Sequence, residues 1–511
     1  MERDGANKSL WQKNVDNYVS IGNVDHNFIY DVIIVGGGIT GLTTALLLQH
    51  AGKKCLLAES HSIGFGTTGG TTAHLNTFFD TPYNKVIKDF GLEKAKLLSK
   101  GAAAAIALIK QNIHQYDIDC EFSELEGYLF STNEKQDKEL DEIVDAAKTL
   151  RVDVEYCNNL PVDIPYLKCA TFAHQAQFNP IKYIFALAKA FEDLGGCICQ
   201  QHKVTNITNE KDALRIETSR GVFRANNVIY ATHIPPGVNL LHFRCAPYRS
   251  YAMAVKLKDD KYPQALAYDM FDPYHYYRTQ KVDDEYYLIV GGEDHKTGHE
   301  ENTDACFRRL ESHAKSYFNV KEVAYKWSSQ YFEPADGLPY IGKLPGTSDN
   351  IYVATGFGGN GMIYGTLSAI IFSNILVNGE SVYQNLFDPS RLKPIAGFSN
   401  FVKEAADVVA NLIGGKFSSA KIKQLTDLAA GEAKVVKFEG HTLALYKDEN
   451  HVLHALNSAC THINCTVSWN ATERSWDCPC HGSRFSIDGR VLTAPARKDL
   501  EKIDLEEKMK E

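Results

Sequence analysis

The chain of 511 residues is long enough for two or three domains, each with a substantial core. Its 54 basic and 63 acidic residues give a formal charge of −9, which argues against a nucleic-acid reader and a polybasic membrane binder. The first residues, MERDGANKSLWQKNV, hold neither an apolar run nor a twin arginine, so we expect no export signal and a cytoplasmic protein.

After an expected N-terminal extension (1–29), residues 30–60 predict a strand, a glycine turn, a helix and a second strand. The run DVIIV suits a strand buried on both faces, and LTTALLLQHAG has helical spacing with a glycine stop. Helices are expected at about 84–112, 134–149 and 180–194, with a strand within CEFSELEGYLFST between the first two. Hairpin-like runs fill 196–232, and the aromatic segments between 245 and 295 predict an antiparallel sheet. The strand NIYVATGF leads into GMIYGTLSAIIFSNILVNG, where glycine, serine and asparagine interrupt the apolar run and no basic flank follows. We therefore expect a buried helix and no transmembrane segment. A connector with its own helix is expected over 391–430, then a small all-β module from 431. Eight of the twelve cysteines (55, 120, 157, 169, 197, 199, 245 and 306) are dispersed among apolar neighbours and are expected to be reduced core thiols.

Gly36, Gly38 and Gly41 form G-x-G-x-x-G at the mouth of the first helix, and Glu59 ends the next strand. The first glycine makes the turn, the second lets the backbone approach a pyrophosphate, and the third lets helix and strand pack closely. The acidic residue accepts from ribose hydroxyls. Strand, helix and acidic residue agree on an adenine dinucleotide at the helix N-terminus.

The order of DVIIVGGGITGLTTALLL, GFGTTGGTTAHL and DGLPYIG…NIYVATGFGGNGM resembles the D-amino-acid-oxidase-like FAD oxidoreductases, over roughly residues 30–390. The resemblance implies an α/β Rossmann-like FAD-binding domain (about 30–80, 170–240 and 325–390) interleaved with an antiparallel-sheet substrate domain (about 81–169 and 241–324). It implies FAD contacts from Thr40, from Thr67, Thr71, Thr72 and Ala73, from Val204 beside the adenine, and from Ala231 within VIYATH. Gly356, Gly358, Gly359, Asn360, Gly361 and Met362 would lie near the isoalloxazine. Some relatives attach flavin to a histidine, but the matching position here is Gly70, so non-covalent FAD is expected, with His74 close to the ring. Related oxidases often hold a substrate carboxylate with an arginine among tyrosines, which makes Arg278 with Tyr277, and Arg249 with Tyr251, the substrate-side candidates.

The stretch CTHINCTVSWNATERSWDCPCHGS raises a separate question. Zinc sites usually pair like ligands. Here each pair is mixed, Cys460 with His462 and Cys478 with His481, and two such loops can place both thiolates on one iron and both imidazoles on the other. Zinc is the alternative that this reading leaves. CTHINC…CPCHGSRF resembles Rieske [2Fe-2S] proteins, and by that resemblance Cys465 and Cys480 form a disulfide between the two loops. Asn464 stands where glycine is common, and asparagine tolerates the left-handed region best among other residues. Phe485 stands where high-potential members carry a tyrosine that bonds a cysteine sulfur, while Ser483 keeps the second hydroxyl. A potential in the middle of the Rieske range of about −150 to +300 mV follows.

The combination resembles a family in which such an oxidoreductase is fused to a Rieske domain (431–511), carried also by GGEDHKTG, WSSQYFEPADGLPYIG and QAQFNPIKY, although Asn179 replaces an expected histidine in the last. That implies a dehydrogenase acting on a small amine or amino-acid-like substrate, with a one-electron redox partner. Reversed flow, making a reductase or monooxygenase, and a non-catalytic redox sensor are the alternatives. A Rieske oxygenase is disfavoured because no separate set of two histidines and one carboxylate stands out.

Overall fold

The computed structural model describes residues 1–391 except 14 and 23, the short strand Ala420–Lys421, and 428–504 except 439 and 440. The helix expected within 391–430 lies outside the described residues.

The strand Ile29–Val35 is central to an eight-stranded sheet. It pairs in parallel with Cys55–Ala58 on one side and Gly221–Tyr230 on the other, and Ile351–Thr355 adds to the latter in parallel. Its side chains alternate between two cores. Val32 and Ile34 join Leu57 under the helices, while Ile33 and Val35 join Leu56 and Ala58 on the opposite face. Both faces are covered, so the segment reads as one continuous apolar run. Each fully buried aliphatic residue of this kind stabilises the fold by about 1.5–3 kcal/mol.

The nine-stranded second sheet is built from Cys245–Leu257, Leu266–Asp269, Tyr276–Val282, Glu285–Lys296 and Val320–Pro334, extended by Ser123–Ser131, Lys168–Gln177, His74–Leu75 and Val154–Cys157. Its strands alternate along the chain with those of the first sheet, giving the interleaved arrangement expected. The apolar helix Gly361–Asn378 is long and hydrophobic enough to cross a membrane by composition alone, but it packs between the helices Ile39–His50 and Leu92–Gln115. The C-terminal region is all β: two four-stranded sheets, the first ending in Leu453–Asn457 and the second running from Ser468–Asn470 to Val491–Thr493.

Within the N-terminal extension, Arg3, Asp4, Ser9, Leu10, Trp11 and Gln12 are buried. One expectation changes. Cys157 and Cys169, expected as reduced thiols, form a disulfide, since they sit directly opposite one another on paired antiparallel strands with Cα atoms 5.4 Å apart. The other six dispersed cysteines form no disulfide among the described residues.

Candidate functional site: a cofactor cavity joined to a cysteine–histidine centre

Gly36 turns the chain at φ +115°, and a Cβ on Gly41 would lie 1.9 Å from the Gly36 carbonyl oxygen. The third glycine is therefore obligatory for the turn to pack on its helix. Glu59 braces this turn, its carboxylate accepting from the Gly37 N–H at 2.7 Å and from the His61 N–H at 2.8 Å.

A cavity of about 610 Å³ opens in front of this turn. Gly36, Gly38, Thr40 and Glu59 line it, as do Thr67, Thr71, Thr72 and His74. Val204, Ala231 and the run Gly358, Gly359, Asn360, Gly361 and Met362 complete the predicted set on its wall. Gly41, Ala73 and Gly356 stand behind the wall: Gly41 inside the helix, Gly356 at φ +75° before the second glycine turn, and Ala73 at φ +55° beside His74. The volume, the glycine turn and the acidic residue fit an FAD held at one end by the first sheet and at the other by the second.

The four substrate-side candidates lie outside the cavity lining. Arg278 is fully buried and donates to the Thr72 carbonyl and, at 2.9 Å, to the Ala73 carbonyl, its guanidinium 5.3 Å from the centre of the Trp11 ring. Trp11 and Trp327 donate to the Thr71 and Gly70 carbonyls, so the 70–73 loop is pinned at four consecutive carbonyls. Tyr277 donates to Asp269, and Tyr251 pairs with His295. Arg249 donates to Ser328 at 2.8 Å and faces Asp477 of the C-terminal module at 3.5 Å. His74 belongs to a short strand. It packs on Tyr268 and Tyr276, its Nε2 is buried without a partner among the described residues, and burial next to Arg278 holds its pKa well below the usual value, so the ring is uncharged. The sequence reading missed Asp80, Tyr268, Tyr274, Tyr276, Asp294 and Tyr331, all on the cavity wall. The aromatic density of 268–277 hinted at the first tyrosines, and Asp294 and Tyr331 lie within the GGEDHKTG and WSSQYFEPADGLPYIG stretches.

The second site is two loops of matching design. In one, Cys460 N–H donates to Cys465 O, and the N–H of Asn464, left-handed at φ 62°, donates back to Cys460 O, both at 2.8 Å. In the other, Cys478 N–H donates to Ser483 O at 2.8 Å, and Gly482 N–H, at φ +75°, donates to Cys478 O at 3.0 Å. The left-handed asparagine expected at 464 is thus present. Cys465 and Cys480 join the loops as a disulfide with Cα atoms 6.5 Å apart. His462 and His481 bring their rings to 5.0 Å, and all four ring nitrogens are buried with no hydrogen-bond partner among the described residues. Burial lowers their pKa values to about 4 and about 3, which keeps them neutral, as metal ligands require. Cys460 is lowered to about 7, chiefly by the hydrogen bond from Cys478, and Ser483 contributes. Four orphaned nitrogens beside two free thiols fit a [2Fe-2S] cluster held by Cys460, Cys478, His462 and His481.

The two sites share a wall. His242 packs its ring 4.7 Å from His462 and 6.0 Å from His481, and its Nε2 lies 2.8 Å from the carbonyl oxygen of Pro235. The neighbouring Pro236 lines the cavity, as do Ala494, Ala496 and Arg497 from the C-terminal module. The motifs shared with fused proteins form this interface: Gly298 at φ +78° admits Pro479, and Gln330 donates to Gly482 O at 2.8 Å. A buried charge chain closes it, with Arg484 pairing Asp477 at 3.2 Å and Asp4 of the N-terminal segment at 2.9 Å, while Ser328 donates to Glu473. Asn179, from the third motif, caps the helix Pro180–Asp193.

Asp269, His275 and His313 form a set of two histidines and one carboxylate that sequence reading did not find, because they come from a strand, a loop and a distant helix. Its geometry is that of an ion pair. The histidine rings stack at 3.7 Å and 11°, and the Asp269 oxygens already accept from Phe271 N, His275 N, His275 Nδ1 and the Tyr277 hydroxyl.

The family model for FAD dependent oxidoreductases matches residues 31–375, and that for the Rieske [2Fe-2S] domain matches 418–504. The putative Rieske 2Fe-2S iron-sulfur protein YhfW of Bacillus subtilis is 32% identical over 503 residues, 98% of each chain. The gamma-glutamylputrescine oxidoreductase of Escherichia coli is 23% identical over 382 residues, 72% of this chain and 88% of its own. Among solved structures, glycine oxidase from Geobacillus kaustophilus superposes with a TM-score of 0.59 at 17% identity, covering 71% of this chain and 99% of its own.

Proposed function

The chain belongs to the FAD-dependent oxidoreductase family and carries a C-terminal Rieske [2Fe-2S] domain, and from that premise we propose that it dehydrogenates a small amine or amino-acid-like substrate and sends the electrons out singly through the Rieske domain. The observation that carries this reading is the shared wall, in which His242 packs against both ligand histidines and hydrogen-bonds the carbonyl of Pro235, and the next residue, Pro236, lines the cofactor cavity. When bound, FAD accepts two electrons with a hydride and the cluster accepts one, so their union converts a two-electron oxidation into one-electron deliveries.

The residues of the chain supply position and shelter. Gly70, Thr71 and Thr72 of the pinned loop and the turn at 358–361 both line the cavity, so a ligand bound there would meet backbone held in place by Trp11 and Trp327. Tyr268, Tyr274, Tyr276 and Tyr331 wall one end against water. The buried Asp4–Arg484–Asp477–Arg249 chain fixes the module on the oxidoreductase body, so the interval between the two sites does not depend on a tether. The names of relatives and fold neighbours, a gamma-glutamylputrescine oxidoreductase and a glycine oxidase, support carbon–nitrogen oxidation as the chemical class.

Anaerobic mixing with panels of amines, N-methyl compounds and amino acids tests this reading. Bleaching of the flavin by one class, with reoxidation by a one-electron acceptor in the wild type and not in Cys478→Ser, is expected. Equal reoxidation in both would contradict it.

A further inference from the structure

The tyrosine-walled end of the cavity carries two carboxylates and, among the described residues, no lysine or arginine to pair with them. Asp80 accepts from the Gly359 N–H at 2.6 Å, and Asp294 accepts from the Tyr331 hydroxyl at 2.9 Å. The second oxygen of Asp294 is buried without a hydrogen-bond partner among the described residues, and so is the hydroxyl of Tyr268. Around them His74, Tyr268, Tyr276 and Tyr274 form a continuous set of ring contacts at 5.2 to 5.9 Å. Among the described residues, the only lysine and arginine on the cavity wall are Lys203 and Arg497, which face Asp499 and the Pro236 carbonyl. The two arginines that a carboxylate-binding oxidase would use are spent elsewhere, Arg278 on the Thr72 and Ala73 carbonyls and Arg249 on Ser328 and Asp477.

Resting on the oxidoreductase reading above, we propose that this end of the cavity selects a cationic amine that bears no carboxylate at the reacting end, held by Asp80 and Asp294 within the wall of Tyr268, Tyr274, Tyr276 and Tyr331. An ammonium group supplies what the site lacks. It donates to the orphaned Asp294 oxygen, neutralises a carboxylate pair that would otherwise repel, and lies against aromatic rings whose quadrupoles attract cations. A substrate carboxylate would enter beside two acids with no guanidinium to receive it. Asp294 has its pKa raised to about 7 by burial and by the charge of Asp80, against the hydrogen bonds of Ser250 and Tyr331 and the charge of His275. Burial raises Asp80 as well, against its bond from Gly359. Both directions are those of carboxylates awaiting a cation.

The test is calorimetric and spectral titration of the FAD-loaded protein with n-butylamine, 1,4-diaminobutane, butyrate and alanine, repeated with Asp294→Asn and Asp80→Asn variants of unchanged flavin content. The two amines are expected to bind and perturb the flavin spectrum, butyrate and alanine to do neither, and each variant to weaken amine binding at least tenfold. Tighter binding of butyrate or alanine than of the amines, amine affinity unchanged in both variants, or no amine binding at about 10 mM would overturn the proposal. Amine binding without bleaching leaves the cation site standing and removes the dehydrogenase reading. Bleaching by alanine does the reverse.

Discussion

The cluster loops and the tyrosine-walled end of the cavity are both buried polar sites, yet they are specified in opposite ways. The first takes all four ligands from residues 460–481, and each loop closes on its own cysteine through a pair of backbone hydrogen bonds. The second takes Asp80, Tyr268, Tyr274, Tyr276, Asp294 and Tyr331 from separate segments brought together by the second sheet. Metal chemistry demands fixed ligand types at short spacing, so it marks the sequence. Recognition of a small organic group demands only that suitable side chains face one volume, which the fold can arrange from anywhere.

That contrast can be broken or sharpened in steps. The largest effect is expected from Cys478→Ser, which removes a thiolate ligand: iron and the cluster's visible absorption should be lost while FAD is retained, because no cluster ligand lines the cavity. Loss of both together would make the two sites one folding unit. Next, Arg484→Ala removes the buried guanidinium that joins Asp4 to Asp477, leaving Asp4 to Arg3 and Asp477 to Arg249 at 3.5 Å, and should cost up to about 3–5 kcal/mol in denaturant unfolding. The exposed pair Arg224–Glu210 gives the control, since Arg224→Ala should cost less than about 1 kcal/mol.

A smaller, pH-dependent effect is expected at His275. Burial opposes its charge, but the hydrogen bonds to Asp269 and Glu293 outweigh that and raise its pKa to about 9. The raised value means that the imidazolium stabilises the folded state fully below the ordinary value of about 6.5, and that this is lost as pH rises through about 9. Thermal melts of wild type and His275→Gln should therefore differ by on the order of 2 kcal/mol at pH 6 and converge above pH 9. A constant difference would remove the charge from the account. The smallest change is Phe485→Tyr, which adds a hydroxyl inside the module's core beside the cysteines and should raise the cluster potential in a redox titration.

The dinucleotide turn, the acidic residue after it and the cysteine–histidine pairs stood out in the sequence because each obeys a spacing with a chemical cause, whereas the bracing of the turn by Glu59 did not show there. The alternation of Val32 and Ile34 against Ile33 and Val35 between two cores was legible for the same reason. Arg249 and Arg278 misled because an arginine among tyrosines carries no record of what it faces; one bridges to the C-terminal module and the other holds loop carbonyls. The role of residues 1–12 was hidden because its partners, Ser328, Gly69, Thr71 and Arg484, are far away in the chain. The pairing of Cys157 with Cys169 depended on the register of two strands, which composition does not fix.

The central claim is that the two sites exchange electrons inside one chain. Rapid-freeze EPR during anaerobic reduction by a substrate amine, with no external acceptor, tests it most directly. The reduced Rieske signal should grow in step with flavin bleaching. A fully bleached flavin beside a cluster that stays oxidised and EPR-silent would contradict the account.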